Sequence, residues 1–297
     1  MIVTFLGTSC MIPTKERNHP GIFVKYQHYG LLFDCGEGIQ RQLKISGTKI
    51  TDVTHLFITH WHGDHVLGIP GLIQSLGSSE YSGKLKIFGP KGTEEFMQNM
   101  FKAFVFDNKV ELEIFDITQQ GMFLEEKEFF VEAYDLDHGI RTIGFRLVEK
   151  DKRRIKIPFI KKVGIPEGPL LGQLQKGEDI MFNGKKISVE DATYIVPGKI
   201  ISFISDTQLC KGCMTLAKDA DLLISEASYE SGLEDKAEQY KHMTAKHAAD
   251  VASQSNAKRL VLTHFSARYK TTEKILEEAQ TIFPETICAT DFTKIKV

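Results

Sequence analysis

Apolar positions along the chain recur at two different periods, and the switches between them mark out its elements. Runs at 2–6 and 21–26 read as strands, joined by a polar loop that holds Pro13, Lys15, Arg17 and Asn18. A third run, 30–33, ends in Asp34-Cys35-Gly36-Glu37-Gly38, and helical spacing follows over 39–45. The run 53–59 is apolar and β-branched, whereas 66–76 returns to a helix-compatible spacing. A strand at 85–88 leads through Gly89-Pro90-Lys91-Gly92 into a predicted helix carrying Phe96, Met97, Met100, Phe101 and Phe104. Their near-helical spacing reads as a core stripe.

Successive strands are predicted at 110–114, 122–124, 129–136 and 142–148, with Asp137-His138-Gly139 between the last two. The second half alternates strands at 200–205, 222–225 and 260–263 with helices at 245–253 and 272–282, the last with an apolar face of Ile275, Leu276, Ala279 and Ile282. Two halves of this kind imply two packed sheets covered by outer helices. Polar residues gathered at strand ends imply one shared cleft.

Composition adds bounds. The 297 residues are 42% hydrophobic and 26% charged, an ordinary soluble mixture that can bury a large core. The net charge of −2 announces no nucleic-acid partner, so any attraction to phosphate has to come from a local patch. The apolar start is broken at Gly7, Thr8 and Ser9, and no later stretch approaches the length of a membrane span; a cytoplasmic protein is expected. Five cysteines, an odd number and widely spaced, argue against a disulfide framework. Cys210-Lys211-Gly212-Cys213 has no second pair to accompany it and reads as incidental.

The densest chemistry lies in Thr59-His60-Trp61-His62-Gly63-Asp64-His65, on a predicted strand-to-helix loop. His60 and His62, two apart, can face one ion, while the turn at Gly63 sends Asp64 and His65 towards a second. Imidazole with carboxylate suits Zn²⁺, and Mn²⁺, Fe²⁺ or Co²⁺ remain open. His138, Asp206 and His264 each read alone as ordinary polar loop residues, but each ends an apolar strand beside small or polar neighbours. Together they yield His60, His62 and His138 for one ion, Asp64, His65 and His264 for the other, and Asp206 as a bridge. Two such ions, about 3.5 to 4 Å apart, make a nucleophile from water at neutral pH.

These motifs resemble the metallo-β-lactamase superfamily, through His60-x-His62-x-Asp64-His65 with His138, Asp206 and His264. The match narrows to the ribonuclease Z family, which processes tRNA 3′ ends. It rests on Leu6-Gly7-Thr8-Ser9, Pro13 to Asn18, Phe33-Asp34-Cys35-Gly36-Glu37, Gly89 to Gly92, and His138-Gly139 with Gly144-Phe145-Arg146. Further matches are Ser205-Asp206-Thr207, Glu226-Ala227, His242-Met243-Thr244, and Thr263-His264-Phe265-Ser266-Ala267-Arg268-Tyr269. Two motifs depart from the family pattern: His-Glu-Ala-Thr stands here as Ser225-Glu226-Ala227-Ser228, and His-Ser-Thr as His242-Met243-Thr244.

The resemblance implies an α/β (α+β) four-layer αββα sandwich over 1–297, with a flexible, substrate-binding arm inserted at 149–198. It implies a homodimer and two Zn²⁺ per chain. Asp64 would ligate metal and take the proton from the nucleophile, while His242, oriented by Glu226, protonates the leaving 3′ oxygen. Residues 149–162 hold seven basic residues against two acidic ones, net +5, an electrostatic footprint for an RNA backbone or a solvated charge run. Within and after it, Lys152, Arg153, Arg154, Lys161, Lys162, and the Gly168-Pro169 pair of a family-like glycine-proline motif are candidates for contacts to precursor tRNA. Arg268 and Lys15 join them. The implied reaction removes the 3′ trailer and leaves a 3′ hydroxyl on the tRNA. A general hydrolase of small phosphodiesters or thioesters is the rival, and a nucleic-acid-binding module with structural metals is a third reading.

Overall fold

A computed structural model of the chain describes residues 1–105 and 108–297. The chain divides into two compact units, one of residues 1–125, 131–147 and 200–297, the other of 126–130 and 148–199.

The larger unit is built on two seven-stranded sheets. One runs, in spatial order, Lys294–Lys296, Ile2–Gly7, Gly21–Tyr26, Tyr29–Phe33, His55–Phe57, Lys84–Pro90 and Glu111–Ile117. The other runs Thr286–Cys288, Leu260–Thr263, Leu222–Glu226, Ile200–Ile204, Arg141–Glu149, Phe129–Asp137 and Gly121–Glu125. Their inner faces meet through aromatic rings. Phe33, Phe57 and Phe88 are register partners on neighbouring strands of the first sheet. Phe33 stacks on Phe203 at 3.8 Å, Phe57 meets Phe145 at 5.5 Å, and Phe88 meets Phe123 at 5.4 Å.

Helices cover the outer faces. Ile39 and Leu43 of Ile39–Ser46, Leu72, Ile73 and Leu76 of Ile69–Gly77, and Met97 of Thr93–Lys102 pack with Leu32, Leu56 and Ile87 of the first sheet. Lys211–Ala217, Ala245–Gln254 and Glu273–Gln280 do the same for the second sheet, where small alanines let Ala245–Gln254 lie close to Leu223 and Leu262. The layering is therefore αββα, with mixed α/β content.

Three details differ from the pattern reading. The helix read at 66–76 is two pieces, Gly63–Val66 and Ile69–Gly77. They part at Gly68, where a Cβ would come 2.0 Å from the Gly36 carbonyl oxygen, so periodicity carried through a point that close backbone packing breaks. The phenylalanine and methionine stripe is only partly core: Met97 is fully buried, but Phe96 and Phe104 are 47% and 48% exposed. A helix on an outer face buries a narrow side, and Phe96 stands away from it, while Phe104 lies beyond the end of the helix at Lys102. The strands Thr286–Cys288 and Lys294–Lys296 are too short to register as a pattern.

In the smaller unit, Lys152–Ile155 pairs with Thr193–Val196 and Ile180–Phe182 with Lys185–Ile187. The helices Ile157–Val163 and Pro169–Lys176 close over a core of Ile160, Ile165, Leu174, Ile180, Ile187, Val189 and Ala192. The segment expected as an arm is thus a small folded body with its own apolar interior.

Candidate metal centre

Parallel pairing explains why the chemistry collects in one place. Ile200–Ile204, Leu222–Glu226 and Leu260–Thr263 run parallel in register, so Asp206, Glu226 and His264 all emerge at the same edge of the second sheet. Tyr29–Phe33 and His55–Phe57 are likewise parallel, which brings Asp34 and the loop Thr59–His65 together at the edge of the first. Carboxyl ends of parallel strands are where open sheets of this kind place their ligands. Asp34 and His264 both take left-handed backbone, with φ of 58° and 60°, which turns their side chains off the strand direction.

All seven residues predicted as ligands converge. His62 Nδ1 lies 3.1 Å from His60 Nε2 and 3.2 Å from His138 Nε2. Three ring nitrogens at this spacing match ligands at tetrahedral angles about one zinc, whose Zn–N bonds of about 2.0 Å put nitrogens about 3.3 Å apart. On the other side, His65 Nε2 is 3.5 Å from Asp64 Oδ2 and 3.4 Å from Asp206 Oδ1. His264 Nε2 is 3.2 Å from the same Asp206 Oδ1 and 3.7 Å from Asp64 Oδ2. The second Asp206 oxygen, Oδ2, faces the first trio, 3.5 Å from His138 Nε2 and 3.8 Å from His60 Nε2.

Tautomers follow from the outer partners. Thr59 Oγ1 donates to Asp34, so the His60 Nδ1 hydrogen goes to Thr59 Oγ1 at 3.0 Å. His65 Nδ1 donates to Asp34 Oδ2 at 2.7 Å, His138 Nδ1 to the Lys241 carbonyl at 2.9 Å, and His264 Nδ1 to Ser228 Oγ at 3.1 Å. Four rings therefore turn Nε2 inward. Among the described residues the buried Nε2 atoms of His65 and His264 find no hydrogen-bond partner. Buried nitrogens without partners, aimed at ionised carboxylates, are what a cation site requires.

Charge agrees with that fit. Burial pushes His60 well below its usual value, with the His65 charge adding to it, and burial also lowers His62; both rings are neutral, as ligands must be. Burial works against ionising Asp64, but the neighbouring His264 and His65 rings, 3.7 and 3.5 Å from its Oδ2, hold it well below the carboxylate range. Burial would likewise discharge His65 and His264, yet the Asp206 carboxylate raises both, drawing positive charge to where a cation would sit.

Beside the cluster, His242 Nδ1 donates to Glu226, 3.0 Å from Oε1 and 3.1 Å from Oε2. Glu226 also accepts from the Thr207 N–H at 2.7 Å and from Ser228 Oγ at 2.7 Å. Ser228, the residue that replaces the family's threonine, thus keeps a hydroxyl between Glu226 and His264. Met243, the departure in the second motif, is fully buried among Ala245 and Ala248 and offers the site no polar atom. Arg268 stacks over the Tyr229 ring at 5.1 Å, and Lys15 is exposed.

Asp34 is the residue that pattern reading missed. Besides His65, its carboxylate accepts from the Thr59 N–H at 2.8 Å, so one side chain fixes the loop and a ring on it. The turn that presents it needs Gly36, where a Cβ would lie 2.3 Å from the Asp64 carbonyl oxygen. An aspartate at a strand end before Cys-Gly carried the signal, but its partner is 31 positions away.

The predicted RNA contacts fare unevenly. Lys152 pairs with Glu149, and Arg153 Nη1 donates to Thr193 Oγ1 at 2.8 Å, so both have partners inside the small unit. Arg154, Lys161, Lys162, Gly168 and Pro169 are exposed.

Fold and site together define a metal-dependent hydrolase of the metallo-β-lactamase fold. A solved metallo-β-lactamase fold protein, YhfI from Bacillus subtilis, superposes with a TM-score of 0.70 at 17% identity, covering 99% of this chain and 98% of its own. Ribonuclease Z from Methanothermobacter thermautotrophicus is 38% identical over 299 residues, covering 100% of this chain and 97% of its own. Human tRNase Z, short form, has a TM-score of 0.74 at 29% identity, covering 100% and 99%. The family model of the anti-Pycsar protein Apyc1 also matches, over residues 1–138. The chain belongs to the ribonuclease Z family and is a metal-dependent hydrolytic endoribonuclease.

Proposed function

We propose that this protein removes the 3′ trailer from precursor tRNA by hydrolysis at a pair of zinc ions, leaving a 3′ hydroxyl on the tRNA. The observation that carries the chemistry is the Asp206 carboxylate, whose two oxygens face two separate nitrogen clusters. His60, His62 and His138 would hold one ion, Asp64, His65 and His264 the other, with Asp206 shared. Paired divalent cations lower the pKa of water to about 7 and place positive charge on a phosphoryl group in transit. The substrate rests on the relatives, named ribonuclease Z and tRNase Z.

The protein's own groups divide the proton work. Asp64 Oδ2 is oriented by the Met11 N–H at 2.9 Å and takes a proton from the attacking water. As the oxygen–phosphorus bond forms and the P–O3′ bond breaks, His242 donates a proton to the departing 3′ oxygen. Glu226 keeps His242 protonated: burial alone would lower the ring, but the carboxylate raises it to about 12. Arg154, Lys161, Lys162 and Arg268 neutralise backbone phosphates, and Gly168-Pro169 contributes to the same RNA-binding segment. A homodimer belongs to this reading, with sedimentation as its check.

The test is incubation of the metal-loaded protein and its Asp64→Ala variant with a precursor tRNA. Wild type should release the trailer and leave a 3′ end that periodate oxidises, while the variant should do neither. A wild-type protein that cleaves small diesters but no precursor tRNA would favour the general-hydrolase reading.

A further inference from the structure

The sequence reading leaves Cys210 and Cys213 as incidental, yet the fold gives them a specific arrangement. Their Sγ atoms lie 3.7 Å apart, against about 2.05 Å in a disulfide. Cys213 is fully buried among Leu216, Ala217 and Met243. Cys210 is partly exposed and lines a surface groove with Gln120, Tyr134, Asp135 and Lys211. One thiol is reachable and its neighbour is shielded, which is the asymmetry of an attacking and a resolving cysteine. The hydrogen bond from Cys213 also pulls the Cys210 thiol down to about 5, against the effect of burial.

A single turn joins this pair to the metal centre. Cys210 lies four residues after Asp206, and between them Thr207 donates its N–H to Glu226 Oε1 at 2.7 Å. Thr207 Oγ1 accepts from the Asp137 N–H at 3.0 Å and sits 3.7 Å from Cys210 Sγ. The Gln208 N–H donates to the Asp137 carbonyl at 2.9 Å, and Asp137 precedes the ligand candidate His138. Cys213 is held in the core, so Cys210 has to supply most of the movement that closes the gap. That movement pulls on the turn that carries Asp206 and supports Glu226.

We propose that Cys210 and Cys213 form a thiol–disulfide exchange site whose closure by a low-molecular-weight disulfide displaces the Asp206–Cys210 turn and slows the enzyme. The Cys210 thiolate attacks the small disulfide, a mixed disulfide forms, and one small thiol leaves. Cys213 then loses its proton to solvent and attacks Cys210 Sγ, forming the internal S–S bond and expelling the second small thiol. Two protein thiols are oxidised and one small disulfide is reduced to two thiols; excess small thiol runs the sequence backwards. The effect on catalysis rests on the hydrolase reading, but the exchange chemistry does not.

The test treats the metal-loaded, full-length protein with oxidised or reduced glutathione, quenches in acid, alkylates free thiols and maps peptides by mass. Small-diester cleavage is measured in parallel. The oxidised wild type should show a Cys210–Cys213 disulfide and a cleavage rate lower by about tenfold or more, within the roughly hundredfold loss that misplacing a catalytic group by about 1 Å can cause. Dithiothreitol should restore it. Cys213→Ala should accumulate glutathione on Cys210, Cys210→Ser should leave Cys213 unmodified, and neither should lose activity to the internal bond. Both thiols remaining alkylatable after oxidation would overturn the proposal. So would a disulfide without loss of rate, or a loss that persists in both variants, which would point instead to Cys10, whose thiol lies beside His242 and His264. A reduced protein that cleaves no diester would instead sink the hydrolase reading, and the peptide masses would still decide the exchange site.

Discussion

His242 donates its Nδ1 hydrogen to Glu226 across 3.0 Å, and the carboxylate that receives it is fully buried. A buried carboxylate facing an imidazole stabilises the imidazolium, so His242 is raised from its ordinary value and carries its proton throughout the neutral range. In linkage terms a raised histidine adds stability that is fully present below its unfolded pKa, near 6.5, and lost only as pH climbs through the folded value.

The pH profile follows from that sign. Wild-type kcat should show no fall assignable to His242 between pH 6 and 9. In Glu226→Gln the largest supporting charge is gone, leaving only Cys10 and the Asp206 carboxylate to oppose burial, so the acid deprotonates as pH rises and kcat should decline above about pH 6.5. His242→Ala should lower kcat by about 10² to 10⁴ at all pH values with metal content unchanged. Parallel pH–rate curves for wild type and Glu226→Gln would remove His242 from the acid role.

Asp34 supports the metal centre without facing the ions. Its bond to His65 Nδ1 fixes the tautomer and the ring plane. Asp34→Ala should therefore weaken zinc binding by about 10- to 100-fold, the usual effect of losing an outer partner of a ligating histidine. Competition with a chelating dye measures it, and an unchanged affinity would mean that packing alone orients the ring.

Exposed cations on the small unit should matter for RNA and not for chemistry. Replacing Arg154, Lys161 and Lys162 by alanine should leave cleavage of a small diester intact while weakening precursor tRNA binding. The slope of log affinity against log salt should become shallower by about one for each phosphate that is no longer neutralised. Lys152 and Arg153 have internal partners, so Arg153→Ala is expected to act through stability as well. Unchanged tRNA affinity in the triple variant would remove this segment from the interface.

Much of the site was legible before any fold was in view, because its residues obey local rules. His60, His62, Asp64 and His65 fall within six positions, and His138, Asp206 and His264 each follow an apolar run. Strand ends could therefore be read as ligand positions. What stayed hidden depends on tertiary neighbours. Asp34 acquires its role from a ring 31 positions away, and Ser228 acquires its hydroxyl bridge from Glu226 and His264. The break at Gly68 reflects the approach of the Gly36 carbonyl, which no helical period encodes. Phe96 and Phe104 satisfied the period of a core stripe, but packing leaves the Phe96 side of the helix uncovered and the helix ends at Lys102, before Phe104. The segment implied as a flexible arm hid its own small core, because its apolar residues pack among themselves in that core.

The most direct test of the two-ion account is the number of zinc ions bound per chain, measured by native mass spectrometry on metal-free protein titrated with zinc. The account predicts two ions for wild type, and one for a His62→Ala variant that keeps the Asp64, His65 and His264 group intact. A wild type that saturates at a single ion would contradict it.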